Sequence, residues 1–274
     1  MLKLMSIVFT IACYLLPAQA LSATDGGKVV RFFSDVDDTI KISYVHNLAE
    51  GAAFSSYADQ LFFGMNTTYS EARKYQQKLG NKVSFSYVTN GIDFTINDTH
   101  RALLKNFRFP NPGNHFPMTL IDKLKHREHK FETIMTAVRN DLPDRVVLIG
   151  DNGEHDPAIY LKVANAIKKL SAEIDKEIEV VTYIHIVYKP KSPNTQSVRQ
   201  HQKGFHNAGD LAILMHNDGL ISEEQRDTMV RIVKARIQKE GPYRVWGQLV
   251  YPWFKYKDLG HLAPNSCLSF YKSK

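Results

Sequence analysis

Short runs of apolar, strand-favouring residues alternate with helical patterns along the middle of this 274-residue chain. The runs cover residues 28–35, 82–90, 116–122, 145–151 and 178–188. Nearly continuous stretches rich in Val and Ile are typical of strands that are buried on both faces, as in a parallel sheet. Strands that alternate with helices are joined by right-handed crossovers. The sequence therefore predicts an α/β fold: a three-layer, Rossmann-like parallel sheet with helices on both faces.

The segments between these runs carry the spacing of amphipathic helices. Within residues 130–144, apolar side chains follow the i, i+3, i+4, i+7 stripe at Phe131, Ile134, Met135 and Val138. A later helix is predicted after Ser222, because Ser222 and Gln225 have the spacing of a capping box.

Polar residues stand directly after three of the predicted strands. The first strand is followed by the stretch Asp35-Val36-Asp37-Asp38-Thr39, the second ends in Thr89-Asn90, and the fourth ends in Gly150-Asp151. Ligands bind beyond the carboxyl ends of the strands in such sheets, so these groups are expected to converge. Three carboxylates (Asp35, Asp37 and Asp151) repel one another unless a cation lies among them, and hard oxygen ligands favour Mg²⁺.

Four motifs in this order resemble those of the haloacid dehalogenase (HAD) superfamily of aspartyl-nucleophile phosphotransferases. They are the D-x-D-x-T motif at residues 35–39, Thr89 at the end of the second strand, Lys130 near a helix start, and the G-D-x-x-x-x-D pattern from Gly150 to Asp156. Each motif alone has an ordinary explanation as a turn, a helix cap or a solvated lysine. Their joint occurrence in order predicts a HAD-like phosphatase core.

A closer resemblance is to the actin-patch-protein type of phosphatidate phosphatase, which is related to the lipins. The stretches "SDVDDTIKIS", "FPMTLID" and "HKFETIMTAVRNDLPDRVVLIGDNGEHDPAIY" carry it, over roughly residues 29–187. The chain departs from that group at Thr89-Asn90-Gly91, where Ser-Asn-Ser is usual, and in lacking an Arg near His185. Both differences concern the substrate side of the site.

The resemblance implies a role for each motif residue. Asp35 is the expected nucleophile, and Asp37 is the expected acid and base. The resemblance implies Mg²⁺ held by Asp35, Asp151 and the backbone carbonyl of Asp37. Thr89 and Lys130 are expected to hold phosphoryl oxygens.

Further residues are expected to bind substrate or to support the site. Thr39 and Asn90 join Lys130 as expected substrate-binding residues, and Thr39 and Asp38 shape the loop. Asp156 is expected to orient Lys130 or to complete the second shell of the metal, and Asn152 is a second supporting residue.

The two ends of the chain lead to expectations about location and domain organisation. Residues 1–20 read as a signal peptide cut after Ala20, because Lys3 precedes an apolar stretch and "AQA" closes it. The protein is therefore expected to be secreted or periplasmic. A HAD-like core is predicted over residues 21–190, with little or no cap domain. Residues 191–274 are predicted to form a loop and a helical segment that packs on or near the core.

The sequence predicts a Mg²⁺-dependent phosphatase of phosphomonoesters, with phosphatidate or another lipid phosphate as the leading substrate. The net charge of +7 favours anionic partners, and no nucleic acid is expected. The aromatic and basic residues at 243–257 leave open a peripheral contact with membrane or a tail that packs over the sheet. The alternatives are a phosphatase of soluble esters and a non-catalytic protein on this fold that binds a lipid or a host factor.

Overall fold

The computed structural model describes residues 26–43, 61–119, 126–153, 155–188 and 195–240. Three of the predictions fall outside these residues: the signal peptide at 1–20, the aromatic and basic segment at 243–257, and the extent of a cap in the stretch 44–60.

The described residues form one six-stranded sheet in which all neighbouring strands are parallel. Its strands in chain order are β1 (Val29–Ser34), β2 (Lys82–Ile92), β3 (His115–Met118), β4 (Arg145–Asp151), β5 (Glu179–His185) and β6 (Gln202–Phe205). Their spatial order is β3-β2-β1-β4-β5-β6. The predicted α/β, three-layer fold is confirmed. The short strand β6 was not predicted, because residues 189–204 read as a polar loop.

Six helices in the described residues cover the sheet. They are α1 (Met65–Lys78), α2 (Asp93–Asn106), α3 (His126–Asp141), α4 (Asp156–Glu173), α5 (Ala208–Asn217) and α6 (Glu223–Glu240). Helices α3 and α6 confirm the helical patterns of the sequence. The capping box before α6 is formed, since Ser222 N donates to Gln225 Oε1 at 2.9 Å and Gln225 N donates to Ser222 Oγ at 3.2 Å.

The sheet separates two apolar cores. Successive strand residues point to opposite faces, so Phe32 of β1 packs into one core and Phe33 into the other. The first core includes buried residues of α1, α2, α5 and α6, and the second includes those of α3 and α4. Burial on both faces explains why β1 and β4 read as continuous apolar runs.

The order of the strands creates a crevice between β1 and β4. Strands β2 and β3 lie on one side of β1, and the chain then crosses back so that β4 lies on the other side of β1. Ligand sites of open α/β sheets lie at such reversals, beyond the carboxyl ends of the strands. The register pairs Ser34 with Ile149, and Asp35 N donates to Ile149 O at 2.8 Å. The first residues after β1 therefore lie beside the end of β4.

Within the described residues, no helix combines the length and the apolar character that crossing a membrane requires.

Candidate active site

Lys130 joins two carboxylates at the carboxyl edge of the sheet. It lies in α3, where its side chain is only 2% exposed. Its Nζ donates to Asp35 Oδ1 at 2.7 Å and to Asp156 Oδ1 at 2.6 Å. Asp35 follows β1 and Asp156 begins α4. Three separate segments of the chain thus meet at one buried ammonium group.

Asp151, the last residue of β4, completes a buried acidic group. The hydroxyl of Thr39 lies 3.1 Å from Asp35 Oδ2 and 3.4 Å from Asp151 Oδ2, so it links the two carboxylates. One oxygen each from Asp35, Asp151 and Asp156 lie within 4.8 Å of one another. The predicted metal ligands Asp35 and Asp151 are therefore brought together, and Asp156 joins them.

The charges of this acidic group are not balanced by the side chains around it. Burial raises the pKa of Asp35 well above its usual value, and Lys130 only partly opposes this. Burial also raises the pKa of Asp151, and the charges of Asp156 and Asp35 add to the effect. When all three carboxylates are ionised, their charge exceeds that of Lys130 by two, and a divalent cation matches this excess. All three residues offer hard oxygen ligands, so the group fits Mg²⁺.

The carboxylate of Asp37 turns away from this acidic group. Its Oδ1 accepts a hydrogen bond from Ser43 Oγ at 2.5 Å and lies 3.2 Å from His100 Nε2 and 3.6 Å from Lys41 Nζ. Its Oδ2 accepts from Thr89 Oγ1 at 3.4 Å. Burial alone would raise the pKa of Asp37, but these neighbours outweigh burial and hold that pKa well below its usual value. The carboxylate of Asp37 is thus ionised here, and the metal contact of its backbone carbonyl stays a prediction.

Asp38 fixes the loop between Asp37 and Ser43. Its backbone is in the left-handed region with φ of 56°, and its side chain is fully buried. Asp38 Oδ1 accepts from Ser43 N at 2.8 Å, and Oδ2 accepts from Tyr188 Oη at 2.5 Å. His185, the last residue of β5, also contacts this loop: its Nδ1 lies 3.1 Å from the carbonyl oxygens of both Asp38 and Thr39. Asp38 therefore shapes the loop, as the sequence indicated.

Thr89 and Asn90 lie at the end of β2, facing the loop after β1. Thr89 is buried and accepts from Gly91 N at 3.1 Å as well as donating to Asp37. The amide oxygen and nitrogen of Asn90 are both shielded from solvent, and neither has a hydrogen-bond partner among the described residues. Buried polar groups are normally hydrogen-bonded, so the Asn90 amide is suited to a ligand.

The two predicted supporting residues have different surroundings. Asp156 Oδ1 accepts from Lys130 Nζ, and its Oδ2 also accepts from Asp151 N at 3.4 Å. Asn152 lies beyond the acidic group, where Oδ1 accepts from Val187 N at 2.9 Å and Tyr188 N at 3.0 Å. Asn152 thus holds the segment after β5 that brings Tyr188 to Asp38.

The structure adds site residues that the sequence analysis missed. His100 of α2 and His115 of β3 are buried near Asp37, and Ser43 and Lys41 contact it directly. No local pattern distinguishes these residues from ordinary buried polar residues. Lys41 and Ser43, in the segment directly after the D-x-D-x-T motif, are the two that lie next to a sequence signal.

One family model matches the chain. It is described as phosphatidate phosphatase APP1, catalytic domain, and it matches residues 30–174, or 145 of the 274 residues. The matched range contains Asp35, Asp37, Thr89, Lys130, Asp151 and Asp156. The comparison with curated proteins gave no match.

Proposed function

Since the chain belongs to the phosphatidate phosphatase APP1 catalytic-domain family, we propose that it is a Mg²⁺-dependent phosphatase that hydrolyses phosphatidate or another lipid phosphate. The observation that carries the proposal is the buried group of Asp35, Asp151 and Asp156 around Lys130, at the carboxyl ends of β1 and β4. Asp37 lies two residues from Asp35, where an acid or base acting beside a nucleophile is needed.

In the first step of the proposed reaction, a carboxylate oxygen of Asp35 attacks phosphorus. A bond forms between that oxygen and phosphorus, while the bond from phosphorus to the leaving oxygen breaks. Asp37 gives its proton to the leaving oxygen, so that an alcohol departs. The product of this step is an aspartyl-phosphate on Asp35.

In the second step, water attacks the phosphorus of the aspartyl-phosphate. Asp37, now ionised, takes the proton of the water. The bond between phosphorus and Asp35 breaks, and inorganic phosphate and the free carboxylate are released. The lowered pKa of Asp37 keeps its carboxylate ionised, which is the form that this step requires. For the first step, the negative charge of an arriving phosphate ester raises that pKa and favours the protonated form.

Other residues of the site position charge during both steps. Lys130 holds Asp35 in place and offers positive charge to the phosphoryl group. Thr89 and Asn90 supply a hydroxyl and an amide on the side of β2. Asp35 and Asp151 would hold Mg²⁺, which would supply positive charge and so reduce the repulsion between a carboxylate and an anionic phosphoryl group.

The lipid substrate and the location are further parts of the proposal. The family description supports phosphatidate, and a lipid substrate implies a peripheral contact with membrane. The signal-like pattern of residues 1–20 supports a secreted or periplasmic protein.

Phosphate release tests the proposal. The purified protein is assayed in Mg²⁺ with phosphatidate vesicles and, separately, with soluble sugar and nucleotide monophosphates. We expect release from the vesicles to be faster, and we expect Asp35→Asn to abolish it. Asp175→Asn is a matched control, since Asp175 is exposed in the turn after α4, at the opposite edge of the sheet.

Each outcome of this assay has a distinct meaning. Equal rates on vesicles and soluble esters would remove the lipid substrate and leave a general phosphatase. Full activity in Asp35→Asn would remove the mechanism. The absence of turnover by the wild-type protein on every substrate would favour a non-catalytic binding protein.

A further inference from the structure

Two buried histidines form a chain of contacts that ends on Asp37. His100 Nε2 lies 3.2 Å from Asp37 Oδ1, and His100 Nδ1 lies 3.2 Å from His115 Nε2. His115 Nδ1 in turn lies 3.0 Å from Asn97 Oδ1. His100 is fully buried and His115 is 5% exposed. Burying a polar side chain is costly unless it is hydrogen-bonded, and these contacts meet that requirement. Neither histidine has a role in the reaction described above.

The contacts of His100 fix its ring at both nitrogens. An ionised carboxylate only accepts hydrogen bonds, so Nε2 of His100 is the donor to Asp37. Burial, with the charges of His100 and Arg101, lowers the pKa of His115 to about 3, which keeps its ring neutral. The two rings meet edge to face, with centroids 5.3 Å apart. His115 therefore sets the plane in which His100 points at Asp37.

The two carboxylate oxygens of Asp37 have different partners. Oδ1 accepts hydrogen bonds from Ser43 and His100 and forms an ion pair with Lys41. Oδ2 accepts a hydrogen bond from Thr89, at the end of β2. Of the groups at Oδ1, Ser43 and Lys41 belong to the same loop as Asp37. His100 is the contact from a separate helix. Together with Thr89 of β2 at Oδ2, it fixes the rotation of the carboxylate relative to the sheet.

We propose that His100, held by His115, is a positioning residue that anchors Oδ1 of Asp37 and so directs Oδ2 to the leaving oxygen. This inference rests on the proposed phosphatase function. It assigns proton transfer to Oδ2 of Asp37. It also means that α2 and β3, which carry His100 and His115, help to position the acid–base residue. A purely structural histidine pair would support the fold without affecting which oxygen of Asp37 faces the substrate.

Two substitutions of similar size and polarity separate these roles. In His100→Gln the side-chain amide nitrogen extends to the position of Nε2, so it still donates to Asp37 Oδ1. In His100→Asn the amide ends near the position of Nδ1, so it reaches His115 but leaves Oδ1 without this donor. Both variants lose the imidazole, and they differ in the contact that the proposal requires.

The assay compares kcat/KM for two phosphate esters, phosphatidate in vesicles and p-nitrophenyl phosphate. The alkyl leaving group of phosphatidate needs a proton, whereas p-nitrophenolate leaves without one. We expect His100→Asn to lower kcat/KM for phosphatidate by more than about tenfold, within the range that acid–base catalysis contributes, and to lower it less for p-nitrophenyl phosphate. We expect His100→Gln to regain most of the loss.

Equal losses in both variants, equal losses with both esters, or no loss would overturn the inference while leaving the phosphatase proposal intact. An inactive wild-type protein would instead remove the phosphatase proposal itself. The folding of each variant is checked by its thermal unfolding midpoint. If His100→Asn does not fold, His115→Phe provides the test, because it keeps a buried ring and removes the nitrogen that holds His100. We expect that variant to show the same dependence on the leaving group.

Discussion

Replacing Lys130 with methionine tests whether a buried cation holds the acidic group together. Methionine has a similar length and no charge, so the substitution removes the contacts to Asp35 and Asp156 and fills most of the space. The Lys130 side chain is 2% exposed, and its two contacts measure 2.7 and 2.6 Å. Removing one partner from a buried ion pair costs about 3–5 kcal/mol, because the remaining charge stays buried. That is a large part of the roughly 5–15 kcal/mol of a typical domain.

The free energy of unfolding is measured by urea denaturation in EDTA, so that metal binding does not add to stability. Lys74→Met is the matched control. Lys74 makes an ion pair of the same length with Glu71, at 2.7 Å, but its side chain is 69% exposed. Exposed pairs contribute about 0–1 kcal/mol, and we expect the control to lose no more than this.

A double variant separates charge from packing. When Asp156→Asn is added to Lys130→Met, one of the uncompensated carboxylates is gone. We expect the double variant to lose less than the sum of the two single losses, because each single change leaves the other partner of the contact buried and unpaired. If Lys130→Met lost no more stability than Lys74→Met, the reasoning about the buried charges would be refuted.

Three further outcomes follow from the site. EDTA should abolish phosphate release, and Asp151→Asn should raise the Mg²⁺ concentration needed for half-maximal activity in a titration. Gly150→Ala should lose activity and about 1–3 kcal/mol of stability, because the added Cβ would lie 2.3 Å from Asp156 Oδ2. Gly113→Ala is the control for the unfolding assay, since no atom lies within 4 Å of its added Cβ. Burial lowers the pKa of His185 to about 4, below its unfolded value of about 6.5. The unfolded state then binds more protons, so stability should fall by about 3 kcal/mol from pH 6.5 to pH 4, and His185→Gln should reduce this slope in denaturation measured across that range.

The strands that the sequence predicted are those with a strong apolar pattern. Strands β1 and β4 are buried on both faces, and that burial requires the Val, Ile, Leu and Phe runs from which they were predicted. Strand β6 is not buried along its length, so it does not need an apolar run. It is four residues long, its sequence is Gln-Lys-Gly-Phe, and Phe205 is its fully buried residue. An edge strand of this composition gives no periodic signal, because only tertiary pairing with β5 makes it a strand.

The acidic half of the site was predictable because its residues stand at the ends of elements. Asp35 and Asp151 end neighbouring parallel strands, so the fold alone brings them together. The environment of Asp37 was not predictable in this way. His100 lies 63 residues from Asp37, within a helix. Its contact depends on how α2 packs against the loop after β1, which no local spacing encodes.

The phosphorylated residue itself is the most direct test of the account. Wild-type protein and Asp37→Asn are mixed with Mg²⁺ and p-nitrophenyl phosphate, whose leaving group needs no proton from Asp37. The samples are quenched in acid during turnover, digested, and analysed by mass spectrometry. We expect one phosphoryl group on Asp35, and we expect more of it in Asp37→Asn, which cannot activate water to remove it. Phosphate release without any phosphoryl group on Asp35, or with the group on another residue, would contradict the account.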